Sequence, residues 1–202
     1  MRRTYAVALA LVALAAVAPA HAAKHGKRCA VAGSKTLFAN QKVRVFTRTY
    51  GPDRLQRTQV CRMSDGRHFG LAQDVSDSSR SGVGLIGIAG DWMSYAVGQS
   101  TKETTTGSAC RFRVSAGSRH CAGGLDVHGV GVTGAGTLAW LADSGVDSSG
   151  THSCCTVFRL DRGKRQPVEL DHGLDIDRTS FAIGGHWAYW TKAGEPRSAP
   201  LP

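Results

Sequence analysis

Aspartate and histidine side chains gather in two stretches of the C-terminal half. The first stretch carries Asp126 and His128, and the second carries Asp171 and His172. Carboxylates and imidazoles that converge in a depression can act as acid and base or bind a metal ion. These four residues are therefore the candidate catalytic set of a hydrolase or lyase. The alternative is that the aspartates cap turns and stay solvated, as they commonly do in glycine-rich connections.

Asp175 and Asp177 extend the second stretch and are candidate ligand-binding residues. Carboxylates in this number also bind Ca²⁺ in some loops, but residues 171–177 lack the spacing and the glycine of a calcium loop. The sequence therefore predicts binding residues here without predicting a Ca²⁺ site.

Imidazole and thiol groups meet in the segment His152-Ser153-Cys154-Cys155. Copper and zinc accept both ligand types, so His152, Cys154 and Cys155 are the candidate metal ligands. Oxidation of the cysteines would remove the thiolates, and no second Cys/His pair at zinc-finger spacing is present. No cofactor is predicted.

An even number of cysteines, six, favours disulfide bonds in an exported chain. Cys110 and Cys121 flank a predicted hairpin and form the first predicted pair. Cys29 with Cys61 is the second. Cys154 and Cys155 either bond to one another or stay partly unpaired.

The tryptophans follow glycine-containing turns, which favours packing between sheets. A sugar-stacking surface is the alternative, and Trp190 is the candidate binding residue because it alternates with other aromatic residues. The four tryptophans are Trp92, Trp140, Trp187 and Trp190.

Motifs for nucleophilic catalysis are absent from the sequence: there is no Gly-x-Ser-x-Gly elbow and no Ser-x-x-Lys set with its partners. Residues 129–134 fit Gly-x-Gly-x-x-Gly, but no helix is predicted after them, as a phosphate-binding loop requires. This stretch is better interpreted as a strand of little side-chain bulk near the centre of the fold.

The N-terminus has the composition of a secretory signal peptide. Arg2 and Arg3 precede an uncharged apolar run from Ala6 to Ala18, and Ala20-His21-Ala22 offers a small-x-small cleavage site. The run is too short to span a bilayer comfortably, although an uncleaved anchor is the alternative. We predict a signal peptide over residues 1–22, a mature chain without a transmembrane anchor, and a secreted or extracytoplasmic location.

Basic residues exceed acidic ones, giving a net charge of +10, or +8 after loss of the two leader arginines. Such a surface attracts anionic wall polymers, lipid headgroups or nucleic acid. No basic helix or base-reading motif accompanies the charge, so specific nucleic-acid binding is not predicted. The expected partner is an envelope protein or an anionic envelope polymer.

Turns recur at a regular spacing along the chain. The first turn of each unit falls near residues 40, 90, 136 and 185, at intervals of 50, 46 and 49. A second turn falls at Gly66, Gly117 and Gly163, at intervals of 51 and 46. Short apolar or alternating runs separate the turns, which indicates an all-β protein. Four strands per unit of this length match a β-propeller blade.

On this repeat, residues 34–191 resemble the exported bacterial propeller-repeat proteins with TolB-like or WD40-like blades. The resemblance implies a small β-propeller of about four blades of four antiparallel strands, with the last blade shortened and ending around Pro196. A β-sandwich of hairpins is the alternative. We predict a mobile segment over residues 23–33 and one domain over 34–202, and Cys29 to Ala32 could supply the missing edge strand of the last blade.

The long connections between strands are expected on one face of the domain, and function is expected there too. They are predicted over Thr47–Thr58, Gly98–Ser108 and Asp143–His152. The leading hypothesis is an exported, non-catalytic binding or interaction module. The alternatives are the hydrolase or lyase above, and a partial propeller that a partner chain completes, with oligomers expected if the ring is open.

Overall fold

A computed structural model describes residues 27–52, 54–73, 80–100, 105–123, 126–143, 145–146 and 152–202. The predicted signal peptide, residues 1–22, lies outside these ranges.

Successive hairpins build four antiparallel sheets. The first contains β1 (Ser34–Ala39), β2 (Val43–Tyr50), β3 (Leu55–Arg62) and β4 (His68–Gln73), and the second contains β5 (Arg80–Ala89), β6 (Trp92–Ser100), β7 (Thr105–Arg113) and β8 (Ser118–Ala122). The third contains β9 (Val127–Val132), β10 (Leu138–Ala142), β13 (Thr156–Leu160) and β14 (Val168–His172), with a hairpin of β11 (Gly145–Val146) and β12 (His152–Ser153) between β10 and β13. The fourth contains β15 (Ala182–Gly184), β16 (Trp187–Lys192) and β17 (Glu195–Pro200).

The predicted all-β architecture is confirmed, with antiparallel sheets of four, four, four and three strands, a set consistent both with the predicted small propeller and with its alternative, the β-sandwich of hairpins. The predicted first turns join the first and second strand of each sheet. At Gly90 and Gly185 the backbone has φ of 60° and 59°, a conformation that glycine adopts without strain. The regular spacing of these turns in the sequence therefore corresponds to one sheet per repeat unit.

The last sheet extends further than predicted, because residues 195–200 form the strand β17 instead of ending the fold. Ala193 and Gly194, both with positive φ, make the turn that brings β17 beside β16. β17 pairs with β16 alone. At such an edge Pro196 and Pro200 are tolerated, since a proline without an N–H does not interrupt an inner ladder.

The predicted long connections are in large part strand. β2 and β3 pair from Val43↔Arg62 to Tyr50↔Leu55, so the predicted loop at 47–58 is mostly a paired hairpin. β6 and β7 likewise pair as far as Ser100↔Thr105. Threonine and glutamine in these segments suit exposed strand positions, and polarity alone therefore gave a wrong loop boundary.

Contacts between sheets follow chain order. One apolar cluster joins the first and second sheets through residues such as Val45 and Met93, and another joins the second and third around Trp140. A further cluster joins the third and fourth sheets around Trp190. Among the described residues, no apolar cluster joins the first sheet to the fourth, so the packing forms a row.

The free face of the first sheet is covered by the N-terminal segment. A short 3-10 helix (Lys27–Cys29) places Cys29, which is fully buried, against Phe46 and Cys61. The guanidinium of Arg44 donates to the carbonyl oxygen of Cys29 at 2.6 Å. The prediction that this segment adds an edge strand to the last sheet is therefore wrong, since the Cys29–Cys61 disulfide holds it on the first sheet.

Arginines on the third strands of the first three sheets bond to backbone carbonyls of the next sheet. Arg62 of β3 donates to Val114 at 3.1 Å, and Arg159 of β13 donates to Pro200 at 3.2 Å. Arg111 of β7 is 4% exposed and donates to Gly136, Leu160 and Asp161 at 2.8, 2.9 and 3.2 Å. Each guanidinium thus carries charged donors from one sheet to backbone carbonyls of the next.

Glycines of β9 allow the fourth sheet to approach the third. A Cβ at Gly129 would lie 2.7 Å from the ring of Phe181, and one at Gly131 would lie 2.6 Å from Ile183. The glycine-rich stretch forms a strand and opens no helix, in agreement with its interpretation from the sequence.

Replacing the buried arginine tests whether these carbonyl bonds hold the row together. We expect Arg111→Met to lower the free energy of unfolding by about 2–4 kcal/mol, because it leaves buried carbonyls without their charged donor. Urea denaturation followed by circular dichroism measures the change. The matched control is Arg165→Met on an exposed turn, expected within about 0.5 kcal/mol of wild type. Equal destabilisation by both variants would contradict the role of Arg111.

Candidate functional site

The structure pairs all six cysteines. Cys110 on β7 faces Cys121 on β8, and the two sulfurs form a disulfide across this hairpin, as predicted for the pair. Cys29 and Cys61 form the second disulfide, between residues 32 apart in the sequence. The adjacent Cys154 and Cys155 bond to one another, the first of the two predicted alternatives.

His128 lies near the start of β9, and its partner is Asp143, a residue that sequence reasoning placed only at the start of a loop. His128 Nε2 and Asp143 Oδ1 are 2.7 Å apart, and the Asp143 side chain is 5% exposed. Asp126 contributes its backbone, since its carbonyl oxygen accepts from the amide of Asp143 at 3.0 Å. Of the candidate catalytic set, the structure therefore gives His128 a partner outside that set, Asp143.

Asp171 and His172 end β14 and point to different partners. Asp171 accepts from the indole N–H of Trp190 at 2.9 Å and from Lys192 Nζ at 2.8 Å. His172 Nδ1 lies 2.7 Å from Glu169 Oε1, and both side chains are largely exposed. Burial would raise the pKa of Asp171, but the bonds from Lys192, Trp190 and the His172 amide hold it below its ordinary value. Asp171 therefore cross-links β14 to β16.

Asp175 and Asp177 shape the connection between the third and fourth sheets. Asp177 Oδ1 accepts from the amide and the hydroxyl of Thr179, both at 2.8 Å. These bonds lower the pKa of Asp177. Asp175 accepts from the amide of Ala193 at 2.9 Å through its own carbonyl oxygen. Asp177 thus caps a turn, which was the alternative to a ligand-binding role.

The tryptophans do not form a common stacking surface. Trp140 is 1% exposed and stacks on Phe158 with ring centroids 5.3 Å apart. Trp190, the candidate binding residue, is 5% exposed, so its ring faces the core and not a ligand. Trp187 is 45% exposed, contrary to its predicted packing between sheets.

Thiol and imidazole candidates come together in a different combination from the predicted one. His152 lies in β12, which pairs with β11 through Val146. The donor atoms that lie within 4.8 Å of one another belong to His128, Asp143 and Cys155. The structure thus brings His128, a predicted catalytic residue, close to Cys155, a predicted metal ligand.

A basic groove runs along the outer edge between the second and third sheets. It has a volume of about 250 Å³. Its lining residues are Trp92, Arg111, Ser118, Arg119, His120, Arg162, Gly163, Lys164 and Arg165.

Trp92 forms the floor of this basic groove and is surrounded by guanidinium groups. The Cζ atoms of Arg111, Arg113 and Arg162 lie 5.9, 5.8 and 5.8 Å from its ring centroid. Arginine over a tryptophan face is a favourable cation–π arrangement. The ring lies against Gly136 of the third sheet, where any Cβ would overlap it.

Cations of the basic groove differ in how far they are already neutralised. Arg111 is occupied by carbonyls, and Arg113, which contacts Trp92 from outside the groove lining, lies with its Nε 3.1 Å from Asp91 Oδ2. Within the described ranges, Arg162, Lys164 and Arg165 have no carboxylate at ion-pair distance, and all three are exposed. The groove therefore presents uncompensated positive charge above an aromatic floor.

A larger cleft adjoins the basic groove. It lies between the first and second sheets, has a volume of about 690 Å³, and shares Arg119 and His120 with the groove. Arg57 adds another cation to its lining. The positive surface thus continues past one small pocket, which suits an extended ligand better than a compact one.

The basic groove was missed in the sequence because its two halves are far apart in the chain. Arg119 follows the second turn of one repeat, and Arg162, Lys164 and Arg165 occupy the second turn of the next. The repeat places these turns side by side. The sequence feature that could have predicted the groove is the presence of basic residues at the second turn of two neighbouring repeats.

Comparison with protein-family models, curated proteins and solved structures finds no match. In the described part of the chain, no helix has the length and apolarity to cross a membrane.

Asp171 gives the third and fourth sheets a pH-dependent link. Its folded-state pKa lies below its ordinary value, so its contribution to stability is present near neutral pH and is lost as the pH falls through the folded pKa. We expect Asp171→Asn to reduce stability at neutral pH by about 1–2 kcal/mol and to approach wild type once the pH has fallen through the lowered folded-state pKa and the carboxylate is protonated. Thermal unfolding across this range measures the difference.

The control for this comparison is Glu195→Gln, which removes one exposed carboxylate from the fourth sheet, the sheet to which Asp171 is linked. It should follow wild type at every pH. A constant gap between Asp171→Asn and wild type down to the acid end would show that the charge of Asp171 has no part in the effect.

Proposed function

We propose that the protein is an exported, non-catalytic binding module that holds a phosphate-rich anionic polymer along the basic groove. The observation that carries the proposal is the set of unpaired exposed cations, Arg162, Lys164 and Arg165, beside Trp92. Guanidinium groups bind phosphate oxygens through paired N–H donors, and lysine adds a point charge. The leader, the disulfides and the net charge support an extracytoplasmic setting with anionic envelope polymers.

A polymer is favoured over a small anion by the continuity of positive surface. The basic groove and the adjoining cleft share Arg119 and His120, and Arg57 lies further along. Binding to exposed charges of this kind is electrostatic, weakens with salt and tolerates variation in the polymer. The acid–base hypothesis has less support, because His128, Asp171 and His172 bond to separate partners.

The first test compares two variants that remove the same charge. We expect Arg162→Gln/Lys164→Gln/Arg165→Gln to bind inorganic polyphosphate about tenfold more weakly than wild type, since each exposed ionic contact contributes about 0.2–1 kcal/mol. The control, Lys35→Gln/Arg48→Gln/Arg67→Gln, removes three exposed cations of the first sheet. Titration calorimetry measures both. Equal losses would mean that net charge, and not the basic groove, attracts the polymer.

Ionic strength provides a second measurement on the same proteins. Wild-type affinity for polyphosphate should fall steeply between about 0.1 M and about 1 M salt, where the Debye length shrinks from about 10 Å to about 3 Å. The groove variant should show a shallower dependence than the first-sheet variant. Neutral dextran is the negative control, and comparable binding of dextran would speak for sugar stacking instead.

A second candidate function is assembly with another copy of the chain. Trp92 packs on the following sheet, but Trp187, which also starts the second strand of its sheet, is 45% exposed, and Tyr189 on the same face is 44% exposed. A two-fold pair of chains would cover both aromatics with the same surface of the other copy. β17 carries Pro196 and Pro200 at the edge, so face-to-face packing is favoured over strand addition.

Light scattering over a concentration series tests this assembly. A dimer of wild type that Trp187→Ser/Tyr189→Ser converts to a monomer would support it, and Leu174→Ser is the control for loss of an exposed apolar residue elsewhere. A wild-type monomer at all concentrations would remove this candidate and leave the polymer proposal untouched.

A further inference from the structure

Three metal-binding side chains meet at one end of the third sheet, away from the basic groove. His128 comes from β9, Asp143 follows β10, and Cys155 precedes β13, so three neighbouring strands contribute one residue each. Their donor atoms lie within 4.8 Å of one another. Cys155 is fully buried and the Asp143 side chain is 5% exposed, while His128 keeps 21% of its side chain exposed. The cluster is therefore anchored in the core and open on one side.

The sulfur of this cluster belongs to the disulfide between Cys154 and Cys155. A disulfide sulfur is a poor ligand, whereas a thiolate binds zinc strongly. Reduction would free the Cys155 thiolate beside the imidazole and the carboxylate, and the thiolate of its disulfide partner Cys154 next to it. Two sulfurs, one nitrogen and one oxygen make a donor set of the number and type that Zn²⁺ takes in tetrahedral protein sites.

Arg178 is the cation that faces the cluster in the oxidised protein. Its Nε lies 3.2 Å from Cys154 Sγ, and its Nη2 lies 3.4 Å from Asp143 Oδ1. The side chain is 47% exposed, so it can turn toward solvent without opening the core. A positive charge here offsets the buried carboxylate in the oxidised form and competes with any metal ion in the reduced form.

The geometry points to a redox-gated zinc site formed by His128, Asp143, Cys154 and Cys155, closed to metal when the disulfide is intact. The disulfide is opened by a dithiol. One thiolate of the dithiol attacks Cys154 Sγ, which is the less buried sulfur, the Cys154–Cys155 bond breaks, and Cys155 Sγ leaves with the electron pair.

The second thiol then attacks the mixed disulfide, frees Cys154 Sγ, and leaves the reductant as its own disulfide. Two protons pass from the dithiol to the two cysteines, and both are released to water when the thiolates bind Zn²⁺. The site is independent of polymer binding, because none of its residues lines the basic groove.

Zinc titration of the full mature chain tests the site. The protein is reduced with a dithiol, freed of it under anaerobic conditions, and titrated with Zn²⁺ alone. We expect one ion per chain, bound at least about 100-fold more tightly than by the oxidised protein, because thiolates are the ligands gained. Co²⁺ in place of Zn²⁺ should give thiolate-to-metal charge-transfer absorption, which reports sulfur ligation directly.

Variants separate this site from thiols released elsewhere. Cys154→Ser/Cys155→Ser should lower the affinity of the reduced protein to the oxidised level, and His128→Gln should weaken binding about 10- to 100-fold. The matched control, Cys110→Ser/Cys121→Ser, should bind zinc as wild type does. Zinc binding that survives in the first variant, or disappears in the control, overturns the proposal.

Arg178→Gln should act in the opposite direction to the ligand variants. Removing a competing charge at this distance should tighten zinc binding about fivefold or more. A gain in affinity cannot come from a damaged fold, so this variant keeps the test decisive even if a ligand variant is unstable. Unchanged or weaker binding by Arg178→Gln would show that the cluster does not form the metal site.

Discussion

Arginine bonds to backbone carbonyls are the interaction on which the arrangement of sheets depends. Apolar clusters join neighbouring sheets, but in the inner strands of the third sheet glycine and alanine occupy several positions, as at Gly129 and Ala139. Small residues allow close approach but bury little area. Arg62, Arg111 and Arg159 add what these contacts lack, because each carries a charged donor from one sheet to the carbonyls of the next. Arg111 also lies 5.9 Å from the ring centroid of Trp92, so the same guanidinium contacts the aromatic residue of the basic groove.

The first and the fourth sheet differ in how far their outer faces are covered. The first sheet is closed by the N-terminal segment, where the Cys29–Cys61 disulfide and the bond from Arg44 hold a short helix over Phe46. Among the described residues the fourth sheet has no such cover, and Trp187 and Tyr189 are exposed. Repeat proteins commonly need caps at both ends of the stack. Within the described part of the chain, the first sheet is therefore capped and the aromatic face of the fourth is not.

Much of the fold could be predicted from the sequence, and less of the candidate sites. Glycine turns at a near-constant interval fix where hairpins begin, so strand order and sheet number follow. Strand length does not, because Thr47 and Thr58 are polar yet pair within a long hairpin. Asp143 was missed since its partner His128 is on a strand that only the fold brings near. The basic groove was missed for the same reason, as Arg119 and Arg162 meet only when repeats are side by side.

The packing of the sheets in chain order also affects the order in which they can fold. Each sheet pairs strands that are close in the chain, with the β11–β12 hairpin inserted between β10 and β13 of the third sheet. Each sheet from the second onward packs against the sheet that precedes it in the chain. Contacts that close small loops form early, and contacts between distant segments are slow. In this molecule a sheet can fold as soon as its own residues are available, onto a surface that is already complete. The first sheet, with the N-terminal cap and its disulfide, can then form first, and the fourth sheet, with its exposed Trp187 and Tyr189, can fold last of the four described sheets.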